Sequence, residues 1–347
     1  MNILLILLGL VLLTAGGETL IRGASRLAAA AGIPPLLVGL TVVAFGTSAP
    51  ELAVSIKAAL TGEADLALGN VVGSNTFNIL LILGLSALIL PLSASMQLIR
   101  LDVPVMVGVS VVAWFLAGNG LISRFEGVLL AIGLVAYTAF QIRLGLRLPA
   151  ADGAPSTSTR LWPALLGIAV GLTLLVLGSR ALVDGATAIA QSFGVSELMI
   201  GLTVIASGTS LPEVATSVIA AVRGQRDLAI GNVVGSNIFN ILGVLGIAAA
   251  LSPAGIAVAP AALRFDIPIM VAVAFACLPI FITAGRIDRW EGGLFLFFYA
   301  AYLVFLVLAA TTHPGLNAFT SAMAGFVIPL VVVTLALSLI YTRAPRS

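Results

Sequence analysis

The chain is 347 residues long, 60% apolar and only 9% charged, with a mean hydropathy of +1.19 and a formal net charge of +2. Soluble domains carry roughly 25% charged residues, so this composition excludes a soluble globular protein and indicates an integral membrane one. One cysteine, Cys277, and one histidine, His313, also exclude a disulfide framework and a Cys/His metal centre within a single chain.

Apolar runs of about 20 residues, enough to cross a hydrocarbon core of about 30 Å as helices, can be drawn at roughly 2–22, 37–60, 66–91, 102–120, 125–145, 162–183, 198–221, 228–251, 266–284, 290–311 and 317–341. None alternates apolar with polar residues as a barrel strand would. The expected fold is therefore all-α, integral to the bilayer, with eleven spanning helices. The first run reads as a helix rather than a secretory signal: no basic residue precedes it, and Glu18 and Arg22 follow where a small-residue cleavage site would lie. Cys277 reads as a small buried residue, and His313, in a Thr-Thr-His-Pro loop, as an exposed one.

Residues 39–80 and 201–242 are identical at 29 of 42 positions, without a gap, at a constant offset of 162. The likeness continues outside that block. Gly16, Leu20, Gly23 and Gly32 match Gly178, Leu182, Gly185 and Gly194; Arg100-Leu-Asp102-Val-Pro104 matches Arg264-Phe-Asp266-Ile-Pro268; and Arg124-Phe-Glu126-Gly127 matches Arg289-Trp-Glu291-Gly292. Each half thus holds five helices, residues 1–145 and 162–311, joined by a Pro/Gly/Ser/Thr-containing linker at 146–161. Residues 312–347 form an extra C-terminal transmembrane helix and tail. Five is odd, so the second half enters the membrane in the opposite sense: the repeats are inverted, and their matched motifs meet near the midplane.

With the N-terminus outside and the C-terminus inside, twelve basic residues fall on inner loops and the tail. They are Arg22, Arg26, Arg100, Arg143, Arg147, Arg160, Arg223, Arg226, Arg286, Arg289, Arg343 and Arg346, leaving Lys57, Arg124, Arg180 and Arg264 outside. This asymmetry satisfies the positive-inside rule. Topology accounts for the basic charge, so no nucleic-acid partner is expected. The preference for Arg over Lys and the short chain suggest a prokaryotic plasma (inner) membrane.

The repeated block carries the chemistry. In GTSAPE and GTSLPE, Pro50 and Pro212 have no N–H for the carbonyls of Gly46 and Gly208, so each helix should break or kink there. Carbonyls freed inside a bilayer need another partner, and a bound cation is one. Thr47 and Ser48 share a helix face with Glu51, as Thr209 and Ser210 do with Glu213. On the following helices Ser74 lies four residues before Asn78, and Ser236 four before Asn240. Two carboxylates, hydroxyls, amide oxygens and exposed carbonyls such as those of Ala44 and Ala206 make a hard oxygen set. It suits Ca²⁺ or Na⁺ and lacks the nitrogen and sulfur ligands of Zn²⁺ or Cu.

The blander readings differ in weight. A single hydroxyl in a membrane helix usually bonds its own backbone, the glycines of GNVVGSN suit close helix packing, and Asp65 and Asp227, near helix starts, read as caps. The Arg-x-Asp-x-Pro pair reads as an interfacial anchor or local ion pair. Glu51 and Glu213 are different: an intramembrane acid costs about 2.5–3.5 kcal/mol on insertion scales, and two at matched depth point to function.

GTSAPE followed by GNVVGSNTFN, and GTSLPE followed by GNVVGSNIFN, resemble the two α-repeats of the Na⁺/Ca²⁺ exchanger family, within the wider cation/Ca²⁺ antiporters. The resemblance covers residues 1–311 and implies a ten-helix inverted-repeat exchanger with alternating access, transporting Na⁺ and Ca²⁺ without a cofactor. It implies that Glu51 and Glu213 are central ligands shared by both ions, with Ca²⁺ at Glu51, Glu213, Thr47 and Thr209. Ser48, Ser210, Ser74 and Ser236 would complete the sites, and Asn78 and Asn240 would line the centre. Some members carry Asp where Asn240 stands, so this centre holds less negative charge; the eleventh helix is additional to the usual ten. The nearest alternative is a Ca²⁺/H⁺ antiporter that empties the same two Glu by protonation. A passive channel would need no counter-ion, and an enzyme is disfavoured because no His or Cys accompanies the serines.

Overall fold

The computed structural model describes residues 2–147, 161–194, 200 and 206–332. Most of the linker, the first part of the seventh expected span, and the end of the eleventh expected helix with Arg343 and Arg346 lie outside the described residues. The first half builds α1 (Asn2–Ala31), α2 (Pro35–Thr47), α3 (Ala49–Thr61), α4 (Ala64–Ile89), β1 (Leu92–Ser93), α5 (Leu98–Ala117), β2 (Leu121–Ile122) and α6 (Arg124–Arg147). The second builds α7 (Leu161–Ser192), the single turn α8 (Ala206–Gly208), α9 (Leu211–Val222), α10 (Arg226–Leu251), β3 (Ile256–Ala257), α11 (Ile267–Ala284), β4 (Arg286–Ile287), α12 (Arg289–Ala310) and α13 (Leu316–Val332). Among the described residues, seven helices are long and apolar enough to cross a membrane, or eight with α2 and α3 counted as one bent span.

The proline-induced breaks fall where expected. α2 and α3 are bent by 46° at Ser48, whose φ and ψ of −85° and 9° leave the helical region, and Pro50 follows in the first turn of α3. Ser210, at −90° and 5°, plays the same part before Pro212. A proline in the first turn removes an N–H that has no partner there anyway.

α1 and α7 pack backbone to backbone and antiparallel. A Cβ at Gly9 would meet Leu182 N at 2.7 Å, at Gly16 Leu175 N at 2.8 Å, at Gly23 Ile168 N at 2.9 Å, and at Gly171 Leu20 N at 2.6 Å. Lipid tails are as apolar as leucine, so close packing through small residues replaces the hydrophobic effect between membrane helices. The centre belongs to α4 and α10, with 72% and 89% of their most apolar stretches buried against 28% for α1 and α7. Gly231 and Gly235 of GNVVGSN bring α10 against the α2 backbone, each within 3.0 Å of a carbonyl oxygen were a Cβ added.

Several expectations are corrected. Four two-residue strands join the helices, β1 antiparallel to β4 and β2 to β3, so the fold is nearly rather than wholly helical; two residues are too few to show an alternating pattern. Asp65 and Asp227 are not caps. Glu63 and Gln225 hold the cap positions without a side-chain bond, and the two Asp sit in the first turn, where negative charge meets the positive end of the helix. Asp102 does not pair with Arg100. It is fully buried and accepts from Tyr137 Oη at 3.1 Å, Gln97 Nε2 at 3.3 Å and Gln141 Nε2, tying α5 to α6. Asp266 accepts from Tyr302 Oη at 3.2 Å. Cys277 is buried, and His313 is exposed with Nδ1 accepting the Gly315 N–H at 3.0 Å.

Candidate cation site

The two interrupted helices cross the two central ones in the interior, and each element delivers the motif it was expected to carry. Glu51 opens α3 and Glu213 opens α9, both in the first turn and both 1% exposed. Thr47, Ser48 and Ser210 at the breaks are buried and Thr209 is half-buried; Ser74, Asn78, Ser236 and Asn240 on α4 and α10 are buried. Asn78 and Asn240 each begin a π-helical stretch, Asn78–Leu83 and Asn240–Leu245. Such widened turns are frequent at functional sites.

The hydrogen bonds cross between the halves in matched pairs. Ser48 Oγ donates to Glu213 Oε1 at 2.8 Å and Ser210 Oγ to Glu51 Oε1 at 2.9 Å, so the serine at each break holds the other half's carboxylate. Ser210 Oγ also lies 3.1 Å from Ser74 Oγ. Thr47 Oγ1 is 3.1 Å from Asn232 Oδ1, and Thr209 Oγ1 is 3.4 Å from Asn70 Oδ1. Asn78 Nδ2 donates to Asn237 Oδ1 and Asn240 Nδ2 to Asn75 Oδ1, both at 3.0 Å. The Ala44 carbonyl accepts the Ser48 N–H at 3.0 Å and lies 3.3 Å from Thr47 Oγ1. Ala206 is the first residue of α8.

Asn70 and Asn232 were missed by motif reading. Asn70 Nδ2 donates to the Glu51 carbonyl at 3.1 Å and to Ser55 Oγ at 2.9 Å; Asn232 Nδ2 donates to the Glu213 carbonyl at 3.5 Å and to Ser217 Oγ at 2.9 Å. They brace the first turn of each carboxylate-bearing helix. The signal was present, since Ser55 and Ser217, and Asn70 and Asn232, are identical pairs at the offset of 162.

What the protein leaves unpaired is most informative. Glu51 Oε2, Glu213 Oε2, Asn78 Oδ1, Asn240 Oδ1 and Ser236 Oγ are buried with no hydrogen-bond partner. Four of the five are oxygens that can only accept. A buried acceptor without a donor costs about 1–3 kcal/mol, and more when charged. Oxygens of this kind are the ligands that hard cations take. Among the described residues no three His, Cys, Asp or Glu side chains gather, so the negative charge here is limited to two carboxylates.

Two interrupted helices that bring paired acids and oxygen-bearing side chains together inside a bundle of apolar spans have the build of a membrane transport protein. Residues 1–143 and 163–308 match the family model described as sodium/calcium exchanger protein, and the chain belongs to this family: it is a transmembrane antiporter, not an enzyme, and its family moves ions without a cofactor. Over 309 residues it is 40% identical to the putative antiporter CaxA of Alkalimonas amylolytica, covering 86% of this chain and 96% of that one. Over 345 residues it is 34% identical to the sodium/calcium exchanger MaX1 of Methanosarcina acetivorans, covering 88% and 98%. The solved structure of the sodium-calcium exchanger NCX_Mj, soaked with 10 mM Na⁺ and zero Ca²⁺, matches with a TM-score of 0.77 at 30% identity, covering 89% of this chain and 98% of that one.

Proposed function

We propose that the protein exchanges Na⁺ for Ca²⁺ across a prokaryotic plasma membrane by alternating access, with Glu51 and Glu213 as central ligands for both ions. The observation that carries this reading is the set of buried, donor-free acceptor oxygens, one carboxylate and one amide from each half. Ser48 and Ser210 direct their protons to the carboxylates, and Thr47 and Thr209 lie within hydrogen-bond reach of Asn232 Oδ1 and Asn70 Oδ1, so hydroxyl lone pairs remain for an ion. Ser74 and Ser236 add further hydroxyl oxygens. Thr47 has one proton for two acceptors; given to Asn232, it leaves the Ala44 carbonyl a free lone pair, and Ala206 offers the matching carbonyl. Ca²⁺ is assigned to Glu51, Glu213, Thr47 and Thr209.

Two carboxylates are balanced by one Ca²⁺ or by two Na⁺. With no ion, two buried charges stay unpaired, and this opposes the switch between inward and outward states. Exchange rather than leak follows. Two inverted five-helix repeats, residues 1–145 and 162–311, underlie the cycle, with α13 beginning an eleventh helix. The antiparallel glycine seam, the crossed strand pairs and the reciprocal serine–carboxylate bonds support that architecture. The charge asymmetry supports an outer N-terminus and inner C-terminus. The pairing of Arg223 with Glu18 at 2.7 Å supports placing these two segments on one face.

The test is uptake of radiolabelled Ca²⁺ into proteoliposomes loaded with Na⁺, with K⁺-loaded and acid-loaded controls. Uptake that requires internal Na⁺ is expected. Uptake driven only by a proton gradient would replace Na⁺ by H⁺ in this reading, and flux without any counter-ion would make the protein a channel.

A further inference from the structure

Each of the two central amides is the end of a chain that begins at a methionine. Asn237 Nδ2 donates to Met106 Sδ at 3.5 Å, Asn237 Oδ1 accepts from Asn78 Nδ2 at 3.0 Å, and Asn78 Oδ1 is left without a donor. In the matching chain Asn75 Nδ2 donates to Met270 Sδ at 3.7 Å, Asn75 Oδ1 accepts from Asn240 Nδ2 at 3.0 Å, and Asn240 Oδ1 is left. All six side chains are buried.

A primary amide turned by 180° exchanges its oxygen and NH₂ with almost no change in shape, so packing alone does not select its orientation. Donor–acceptor polarity does, and a thioether sulfur only accepts. Met106 therefore demands the NH₂ of Asn237, which turns Oδ1 toward Asn78; Asn78 must answer with its NH₂, and its own Oδ1 then faces away from the chain. We propose that Met106 and Met270 are positioning residues that set the polarity of Asn78 and Asn240, through Asn237 and Asn75, so that carbonyl oxygens rather than NH₂ groups meet the transported cation. This inference rests on the reading of the Glu51/Glu213 centre as the cation site. The two chains are not equally robust. Asn75 Nδ2 also donates to the main-chain carbonyl of Asn237 at 3.2 Å, a second partner that only accepts, whereas Met106 is the acceptor that Asn237 Nδ2 has among the described residues.

Met106→Leu keeps volume and apolarity while removing the acceptor. The readouts are the Ca²⁺ Kd of purified protein by calorimetric titration and the KM and kcat of Ca²⁺ uptake. Met106→Leu raises Kd and KM about tenfold, equivalent to roughly 1.4 kcal/mol, with kcat at saturating Ca²⁺ retained. Met270→Leu moves them less, because Asn75 keeps its main-chain acceptor. The deciding background is Asn78→Ala: no amide is left there to be turned, so adding Met106→Leu leaves Kd unchanged, whereas packing damage would carry over in full. Met106→Ile, a second acceptor-free residue, reproduces the shift should the Leu variant fold poorly. An unchanged Kd in Met106→Leu, or an equal loss in the Asn78→Ala background, overturns the proposal. An unchanged Kd in Asn78→Ala and Glu51→Gln would instead overturn the cation-site reading beneath it.

Discussion

Glu51→Gln combines a large expected effect with almost no change in shape. The side chain is 1% exposed, its Oε1 accepts from Ser210 Oγ at 2.9 Å, and its Oε2 has no donor. Glutamine keeps the Ser210 bond through its carbonyl oxygen and removes one of the two negative charges at the centre. Loss of one partner of a buried ion pair costs about 3–5 kcal/mol. At 1.4 kcal/mol per tenfold, this lowers Ca²⁺ affinity by roughly two to four powers of ten. The ion-free protein should respond in the opposite sense, because a buried unpaired charge has gone. Thermal unfolding of purified protein, in chelator and in Ca²⁺, separates the two effects. Ca²⁺ at about 100 times the wild-type Kd stabilises the wild type by about 2.7 kcal/mol and leaves the variant almost unmoved, while the variant's midpoint in chelator equals or exceeds the wild-type value. Glu213→Gln should behave alike, since its carboxylate is held in the same way by Ser48. Wild-type Ca²⁺ stabilisation in Glu51→Gln, or a midpoint lowered equally with and without Ca²⁺, would refute the reasoning and leave Glu51 a structural residue.

Ser48→Ala and Ser210→Ala each remove a hydrogen bond to a buried carboxylate, which contributes about 1.5–3 kcal/mol. Each should raise the KM for Ca²⁺ uptake by roughly ten- to a hundredfold. Asp102→Asn puts an NH₂ among groups that only donate to the present carboxylate; a loss of about 1–3 kcal/mol should appear as a lower unfolding midpoint with the KM for Ca²⁺ unaltered. Gly171→Ala places a methyl group 2.6 Å from Leu20 N in the α1–α7 seam, and overpacking there should cost about 1–3 kcal/mol. The exposed Gly108, where a Cβ meets nothing within 4 Å, should gain up to about 1 kcal/mol from the same change, and thermal unfolding compares the two.

The amino-acid sequence by itself determined what acts within one segment. Apolar length sets a span, the missing N–H of Pro50 and Pro212 sets the break, and the duplication with its two acids marks Glu51 and Glu213 wherever the helices run. Tertiary structure alone decided partnership. Asp102 looked like a mate for nearby Arg100 and instead belongs to Tyr137 and Gln141, thirty-five and thirty-nine residues away. Asn70 and Asn232 stood in the repeat without a visible task until α4 and α10 carried them to the main chain of the acids. The exchange of serine and carboxylate between the halves, and the amide chains that end at Met106 and Met270, likewise appear only when the halves meet. A hydrogen bond needs a donor and an acceptor about 3 Å apart, and local sequence specifies the chemistry of each group but not which distant group the fold brings within that reach.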